Sequence, residues 1–214
     1  PTARSEISRL LKLSMPTVIR IVDELIEDGL VRSTGETAGK AGRPRELLEY
    51  NKNGSSVIGI DLGGTKFYGA LANIGGEILG EVHKKQLALT GEESYALVEE
   101  MIRSLIQLAD EKHQKMLGVA VGVPGVTHVK KGMVEWAPSL NWRDFPLKQR
   151  LTDRFHLPVV VDNDVNLAVL GEQWFGAGRG VNNLLLLAIG TCMGAGLVIY
   201  GVIYRGPNEA SGEV

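Results

Sequence analysis

Apolar positions in the first thirty residues recur at helical spacing and predict two short helices separated by a tight turn. We expect Thr2 to cap the first helix and Ser14 to cap the second, with Pro16 tolerated in the second helix's first turn. The first helix carries three apolar residues on one face, namely Ile7, Leu10 and Leu11. The second helix carries five with the spacing of one buried face, namely Val18, Ile21, Val22, Leu25 and Ile26.

The order of the elements that follow is typical of a winged helix-turn-helix. Gly29 is placed to end the second helix, and residues 30–32 begin a short strand. Residues 35–44 are rich in glycine and contain a basic Gly-Arg-Pro segment, a composition typical of a linker. We therefore predict a DNA-binding domain with its linker over residues 1–50.

From residue 56 onward, short buried strands alternate with amphipathic helices, which predicts an α/β domain over residues 56–214. The predicted helices span residues 94–113, 147–155 and 165–175. The predicted strands span residues 57–61, 67–73, 77–82, 117–123, 159–161, 184–189 and 197–204.

Two glycine-rich loops in this domain, at residues 61–66 and 190–196, each lie between predicted strands. Glycines let the backbone approach an anion closely, and successive N–H groups can then point at it. In the first loop Thr65 can donate a hydroxyl, Lys66 supplies a positive charge, and Asp61 can hold a metal-bound water. Together the loops suggest two walls of a nucleotide cleft. The alternative is that each is a plain β-hairpin turn.

Carboxylates follow the predicted strand at residues 159–161 and begin the next helix. An aspartate at the carboxyl end of a strand can act as a general base on a hydroxyl, and Asn163 could position that hydroxyl. The alternative is that Asp162 or Asp164 caps the helix, and the two roles can coexist. Glu209 and Glu213 could accept hydrogen bonds from sugar hydroxyls, or they could be solvated loop charges.

Polar side chains near the start of the second predicted helix would face DNA in a helix-turn-helix. Arg20 could contact a guanine edge, and Ser14 and Thr17 could reach phosphates or bases. Arg43, between a glycine and a proline, suits a narrow minor groove. The alternative is that these are surface residues of a small protein-interaction domain.

Composition limits these hypotheses only mildly. The chain has 214 residues and a net charge of −2, so DNA binding must rest on a local basic patch. Cys192 is the single cysteine, which excludes an internal disulfide and fits a reducing cytoplasm. No apolar run reaches the roughly 20 residues that cross a bilayer, so we expect no membrane partner. The chain opens without an initiator Met and stops within a loop, so we expect a piece of a longer protein.

Four motifs in this order resemble the ROK family of repressors and sugar kinases: residues 61–66 (DLGGTK), 122–125 (GVPG), 163–164 with the following helix, and 190–196. The resemblance implies an actin-like, ribonuclease H-like fold of two lobes, with its C-terminal part beyond Val214. Members with an added winged helix and a Gly-Arg-Pro linker are xylose-, N-acetylglucosamine- and glucose-type repressors. Members without that domain are glucokinases, N-acetylglucosamine kinases and N-acetylmannosamine kinases.

The resemblance also implies roles for individual residues. Asp164 corresponds to the base that deprotonates the sugar hydroxyl, Asn163 and Gly125 to sugar-binding positions, and Glu213 to the glutamate that holds the ring hydroxyls. The ATP-phosphate loops, with Mg²⁺, would comprise Asp61, Gly63, Gly64, Thr65, Lys66, Gly190, Thr191 and Gly194. The family's zinc loop would lie beyond Val214, so we expect no metal ligands within this chain.

Two departures from the family pattern bear on activity. Cys192 replaces the second glycine of a Gly-Thr-Gly loop and could crowd a phosphate, while Ser139 stands where many of the kinases have an asparagine. We expect weak or absent phosphorylation because of Cys192. Because a pure kinase does not need residues 2–45, we expect a sugar-responsive repressor, a homodimer or homotetramer on double-stranded operator DNA. In this hypothesis, sugar and DNA favour different domain arrangements. The alternative is an ATP-dependent sugar kinase.

Overall fold

The computed structural model describes residues 1–38, 45–86, 90–190, 193–207 and 209–212. The chain forms two compact units. The first contains Pro1–Ser55 with Asn73–Gly75, and the second contains Ser56–Ala72 with Gly76–Val214.

The first unit packs two helices against a three-stranded antiparallel sheet with strand order β1-β3-β2. Its elements are β1 (Thr2–Ala3), α1 (Arg4–Leu11), α2 (Met15–Glu27), β2 (Val31–Ala38) and β3 (Arg45–Tyr50). The expected cap at Thr2 is wrong, because Thr2 lies in β1 opposite Leu48 and Ala3 takes the N-cap position. The Thr2 hydroxyl instead donates a hydrogen bond to Glu6 Oε2 at 3.2 Å.

The predicted cap at Ser14 is confirmed. Ser14 has extended backbone angles, and its Oγ accepts a hydrogen bond from Thr17 N at 3.3 Å. The same oxygen lies 2.7 Å from the Thr17 hydroxyl. A serine that satisfies an unpaired amide of the first turn explains why α2 begins at Met15.

The core of the first unit is small. Val18, Val22 and Leu48 are buried, and Ile7 and Val31 pack against them. The expected apolar face of α1 is only partly right, because Leu10 and Leu11 are 66% and 62% exposed. Helix α1 reaches the core through Ile7, one turn before these leucines, and a three-stranded sheet is too small to cover the rest of the helix.

The described residues of the second unit form three sheets. Its elements begin with β4 (Ser55–Leu62), β5 (Lys66–Asn73), β6 (Ile78–Lys85), α3 (Gly91–Glu111), β7 (Lys115–Val123), β8 (Val126–His128) and β9 (Met133–Ala137). They continue with β10 (Trp142–Phe145), α4 (Leu147–Phe155), β11 (Val159–Asn163), α5 (Asp164–Phe175), β12 (Leu184–Ile189), β13 (Met193–Ile199) and β14 (Val202–Ile203). A 3₁₀ turn, Pro138–Leu140, precedes β10.

The main sheet of this unit has five strands in the order β11-β7-β4-β5-β6. Side chains alternate along β4 between a buried and an exposed face, as a half-covered strand requires. Helix α3 covers the buried face with four fully or almost fully buried side chains, namely Val98, Met101, Ile102 and Leu105. A capping box between Thr90 and Glu93 fixes the start of this helix.

Parallel pairing of β11 with β7 brings two of the sequence motifs together. Asp162 lies opposite Gly122, and Asn163 lies opposite Val123. The carboxyl end of β11 therefore meets the segment that contains Gly125.

Two smaller sheets complete the second unit. Strands β12, β13 and β14 form an antiparallel sheet against which α5 packs through Val169. The antiparallel sheet β8-β9-β10 was not expected from the sequence, because its strands are three to five residues long and show no clear alternation.

Candidate functional site

Helix α5 begins at the carboxyl end of β11, and Asn163 is its N-cap. Asn163 Oδ1 accepts hydrogen bonds from Val165 N at 2.9 Å and Asn166 N at 3.1 Å. Asp164 Oδ1 also accepts from Val165 N, at 2.9 Å. The capping role considered for Asp162 or Asp164 therefore belongs mainly to the residue between them.

Asp162 is a buried structural carboxylate. Its side chain is 3% exposed and forms an ion pair with Arg205, and its Oδ1 accepts a hydrogen bond from Asn163 N at 2.8 Å. Asn166 Nδ2 lies 3.4 Å from the same oxygen. A buried carboxylate with three donors is well satisfied, which leaves Asp164 as the candidate for chemistry.

Asp164 and Asp61 line one cavity of about 580 Å³. Partial burial raises the pKa of Asp164 above its ordinary value, although the hydrogen bond from Val165 N acts in the opposite direction. Desolvation also raises the pKa of Asp61, the negative charge of Asp164 raises it further, and Lys66 lowers it. Two carboxylates in one cavity, one of which raises the pKa of the other, are typical of a binding or catalytic site.

Most other residues around this cavity are small and apolar. The walls include Gly59, Ala70, Ala120, Gly122, Ala168 and Ala188. A Cβ on Gly122 would lie 3.2 Å from the Asp164 Cα, so β7 and the start of α5 approach each other closely at this point.

Gly125 and Asn163, two of the predicted sugar-binding residues, lie together. Gly125 O accepts a hydrogen bond from Asn163 Nδ2 at 3.2 Å. Gly125 has a φ of +98°, and a Cβ there would lie 2.3 Å from Trp136 O, so only glycine fits. The structure thus brings the GVPG segment and the start of α5 to one place.

The predicted first phosphate loop is a short turn between the neighbouring strands β4 and β5. A Cβ on Gly63 would lie 2.8 Å from Lys66 O, which shows how tightly the loop turns. Gly64 is half-buried, whereas the side chains of Thr65 and Lys66 are exposed. The turn therefore leaves a hydroxyl and an ammonium group available beside Asp61.

The predicted second phosphate loop is described only in part. Gly190 follows β12, and Gly194 lies in β13, where an added Cβ would be 3.0 Å from the Val165 side chain. Thr191 and Cys192 lie outside the described residues. The described part of this loop therefore lies against the first turn of α5.

Sequence reasoning missed two residues near the site, Arg205 and Gln86. Arg205 pairs with Asp162 across 43 positions, and Gln86 Nε2 donates to Ser139 O at 2.5 Å across 53 positions. Gln86 N also donates to Thr65 O at 3.0 Å. No local pattern identifies such contacts, because each depends on which distant strands become neighbours.

Glu209 and Glu213 were both considered as sugar ligands. Glu213 lies outside the described residues. Glu209 Oε2 accepts a hydrogen bond from Val129 N at 2.6 Å and lies 3.6 Å from His128 Nδ1. Its carboxylate is therefore engaged by the segment after β8.

The predicted DNA-facing residues lie in the first unit. Ser14 and Arg20 are exposed and Thr17 is half-buried, all on the N-terminal half of α2. Arg20 Nη1 forms an ion pair with Glu24 Oε1 at 2.7 Å. Arg43 lies outside the described residues. This surface supplies short hydroxyls and one guanidinium group on a single helix.

Within the part of the chain that the structure describes, no group of three or more His, Cys, Asp or Glu side chains could hold a metal ion. No helix in the same residues has the length and apolar character needed to cross a membrane.

Comparison with known proteins gives consistent matches. The sequence profile of the ROK family matches residues 57–214. A xylose repressor of Caldicellulosiruptor bescii is 36% identical over 213 residues, which cover 99% of this chain and 53% of the relative. The chain thus spans about half the length of that curated relative.

Solved structures give the same picture. A ROK family transcriptional regulator, a homologue of the E. coli MLC protein, aligns with a TM-score of 0.83 and 27% identity over 100% of this chain and 54% of its own. A ROK family glucokinase from Streptomyces griseus, in complex with glucose and AMPPNP, aligns with a TM-score of 0.68 and 31% identity. That match covers 74% of this chain and 49% of the glucokinase chain.

Proposed function

This chain belongs to the ROK family, and we propose that it is part of a sugar-responsive transcriptional repressor that binds operator DNA and a sugar effector. One observation carries the proposal. The regulator structure and the xylose repressor match the whole chain or nearly all of it, whereas the glucokinase structure matches about three quarters. The extra part shared with regulators is what a protein that contacts DNA would need.

In this proposal the first unit is a winged helix-turn-helix, with α1 and α2 as the two helices and β2 and β3 as the wing. Helix α2 enters the major groove, where Arg20 contacts a base edge and Ser14 and Thr17 contact phosphates or bases. Arg20 exchanges its ion pair with Glu24 for the DNA contact. Arg43 adds a minor-groove contact.

The sugar binds beside the start of α5 in this proposal. The Asp164 carboxylate, the Asn163 amide and the backbone at Gly125 supply polar groups at one place, and Glu213 joins them. Sugar hydroxyls both donate and accept, so paired carboxylate and amide groups suit them. The half-buried position of Asp164 strengthens such hydrogen bonds relative to those at an open surface.

Sugar and DNA act on each other through linkage. A sugar that favours one domain arrangement changes the affinity for DNA. DNA then changes the affinity for the sugar by the same factor. Two half-sites one helical turn apart require at least a homodimer. A protein that controls transcription in this way works in the cytoplasm.

The cavity itself favours a second candidate function, an ATP-dependent sugar kinase. Asp61 and Asp164 face one cavity beside a glycine turn, and carboxylate oxygens are the ligands that Mg²⁺ prefers. Asp61 would hold the hydrated Mg²⁺. Gly63, Gly64, Thr65 and Lys66 would bind ATP phosphates together with Gly190, Thr191 and Gly194, and the bound metal would neutralise phosphate charge. Asp164 would accept the proton of the sugar hydroxyl. A zinc site would require residues beyond Val214.

Fluorescence anisotropy on the full-length protein tests the repressor function. DNA duplexes are first selected from a random-sequence library, and the enriched duplex is then titrated with and without D-xylose, D-glucose or N-acetyl-D-glucosamine. We expect one of the sugars to change the DNA dissociation constant at least about fivefold. Absence of an enriched sequence, or of any sugar effect, contradicts the repressor function.

A coupled ADP-release assay with the same sugars tests the kinase function. Turnover of roughly 1–1000 per second would favour the kinase over the repressor.

A further inference from the structure

The segment that follows β14 is fixed to three different parts of the second unit. We call residues 204–207 and 209–212 the return loop. Arg205 pairs with Asp162, directly before the N-cap of α5. At the far end, Gly212 O accepts a hydrogen bond from Ala195 N, in β13, at 2.8 Å. Glu209, between these two points, makes the third attachment.

Glu209 reaches across the unit to the end of β8. Its Oε2 accepts a hydrogen bond from Val129 N at 2.6 Å and lies 3.6 Å from His128 Nδ1. The Glu209 side chain is 24% exposed, so this contact is largely removed from water. A carboxylate that accepts a backbone N–H in such a place forms a stronger hydrogen bond than a neutral acceptor would.

The backbone of Glu209 has a strained conformation where the side chain makes this contact. Its φ is +54°, in the left-handed region that side chains other than glycine disfavour. Such a conformation persists only when its surroundings hold it in place. The contact and the positive φ therefore occur at the same residue of the return loop.

We propose that Glu209 is a positioning residue for the sugar site. By holding the return loop against Val129, it keeps in place Arg205, whose partner Asp162 accepts a hydrogen bond from Asn163 N beside the proposed sugar-binding residues. A site ordered in advance binds its ligand more tightly, because the ordering cost is not met during binding. This inference rests on the proposed function, since it requires that the site bind a sugar.

The test compares three variants of the full-length protein by isothermal titration calorimetry with D-xylose, D-glucose and N-acetyl-D-glucosamine. Glu209→Gly removes the carboxylate and relieves the left-handed backbone. Glu209→Gln keeps an oxygen that can accept from Val129 N. Tyr200→Gly is the matched control, because Tyr200 also has a positive φ, +52°, and its side chain is 86% exposed.

We expect Glu209→Gly to raise the sugar dissociation constant about tenfold. Glu209→Gln should raise it by less, because its amide oxygen is a weaker acceptor than the carboxylate, and Tyr200→Gly should bind like the wild type. Thermal unfolding of both glycine variants should remain within a few degrees of the wild type, so binding is compared between folded proteins. A merely structural role would lower the unfolding temperature of Glu209→Gly and leave its sugar affinity unchanged.

Three results contradict expectations in distinguishable ways. Wild-type affinity in Glu209→Gly overturns the positioning role while the proposed function stands. Binding as weak in Glu209→Gln as in Glu209→Gly also overturns it, because an acceptor for Val129 N would then make no difference to sugar affinity. A wild-type protein that binds none of the three sugars contradicts the proposed function itself.

Discussion

The two units hold their candidate functional side chains in opposite ways. In the second unit, Asp162 and Asn163 are buried among hydrogen-bond partners, and Asp164 is half-buried beside them. In the first unit, Ser14 and Arg20 are exposed, and Arg20 pairs with Glu24, one turn along the same helix.

This difference matches the two kinds of ligand that we propose. A small sugar offers few contacts, so each must be aligned in advance by buried groups. DNA offers a long charged surface, and exposed side chains that reorient at little cost are sufficient to contact it. Substitutions in the second unit should therefore affect stability and binding together, whereas those on α2 should separate the two.

The largest effect is expected for Arg205→Ala, which leaves the buried Asp162 without its charged partner. We expect the free energy of unfolding of the second unit to fall by about 2–4 kcal/mol. Trp136, Trp142 and Trp174 all lie in that unit, so urea denaturation followed by the fluorescence of these residues reports on it.

Arg154→Ala provides the comparison for Arg205→Ala. Arg154 forms an ion pair with Glu99 at 3.3 Å, but its side chain is 49% exposed, so its loss should cost less than about 1 kcal/mol. An equal loss of unfolding free energy in the two variants would show that the burial of Asp162 does not add to the effect. The contrast drawn between the two units would then be unsupported.

Asp164→Asn should weaken sugar binding and strengthen folding. Loss of a charged hydrogen bond to a sugar hydroxyl, worth about 1.5–3 kcal/mol, raises the dissociation constant roughly 10- to 150-fold. Calorimetric titration with the sugar that the wild type binds measures this change. Sugar affinity equal to that of the wild type would remove Asp164 from the site.

The stability change of Asp164→Asn should depend on pH. Because burial raises the Asp164 pKa in the folded state, the protonated form favours folding. That contribution is complete below the unfolded-state pKa of about 3.9. It is lost as pH rises through the folded-state pKa. Wild type and variant should therefore have similar unfolding free energies near pH 3.5, and the variant should gain relative stability toward pH 7. Parallel urea curves at both pH values would contradict the assigned direction.

Sequence patterns predicted the features that depend on residues close together in the chain. They missed the contacts that depend on which distant strands become neighbours. The Ser14 cap and the α5 start at the end of β11 follow from local spacing, and the structure confirms both. The contacts of Arg205 and Glu209 join segments 43 and 80 positions apart, so their partners are known only once the strand order is known. Leu10 fits an apolar helical face but is exposed, because periodicity identifies a face without showing whether anything covers it.

Arg20→Ala should weaken binding to the selected duplex by about 1–3 kcal/mol without changing sugar affinity. Arg20 is 66% exposed, so its removal should leave the fold intact. The measurement is the anisotropy titration, at fixed salt because phosphate contacts depend on it. Arg103→Ala, an exposed arginine on α3, controls for the loss of one positive charge. If both variants weakened DNA binding equally, α2 would not be the recognition helix.

The smallest effect is expected for Ser14→Ala, which removes the cap of α2. The free energy of local unfolding of α2 should fall by about 1 kcal/mol. Amide hydrogen exchange of residues 15–27 measures this free energy. Ser104→Ala is the control, because Ser104 Oγ bonds to Glu100 O within α3 and caps nothing. Its exchange should be almost unchanged, since alanine favours a helix interior.

Ser14→Asp then separates the two roles of this residue. Aspartate caps a helix as well as serine does, so hydrogen exchange in α2 should match the wild type. Its negative charge would face the phosphates if α2 lies in the major groove, and affinity for the selected duplex should fall. Slow exchange together with weak DNA binding would show that Ser14 serves both the helix and the duplex. Unchanged DNA binding in Ser14→Asp would show that this end of α2 does not face DNA.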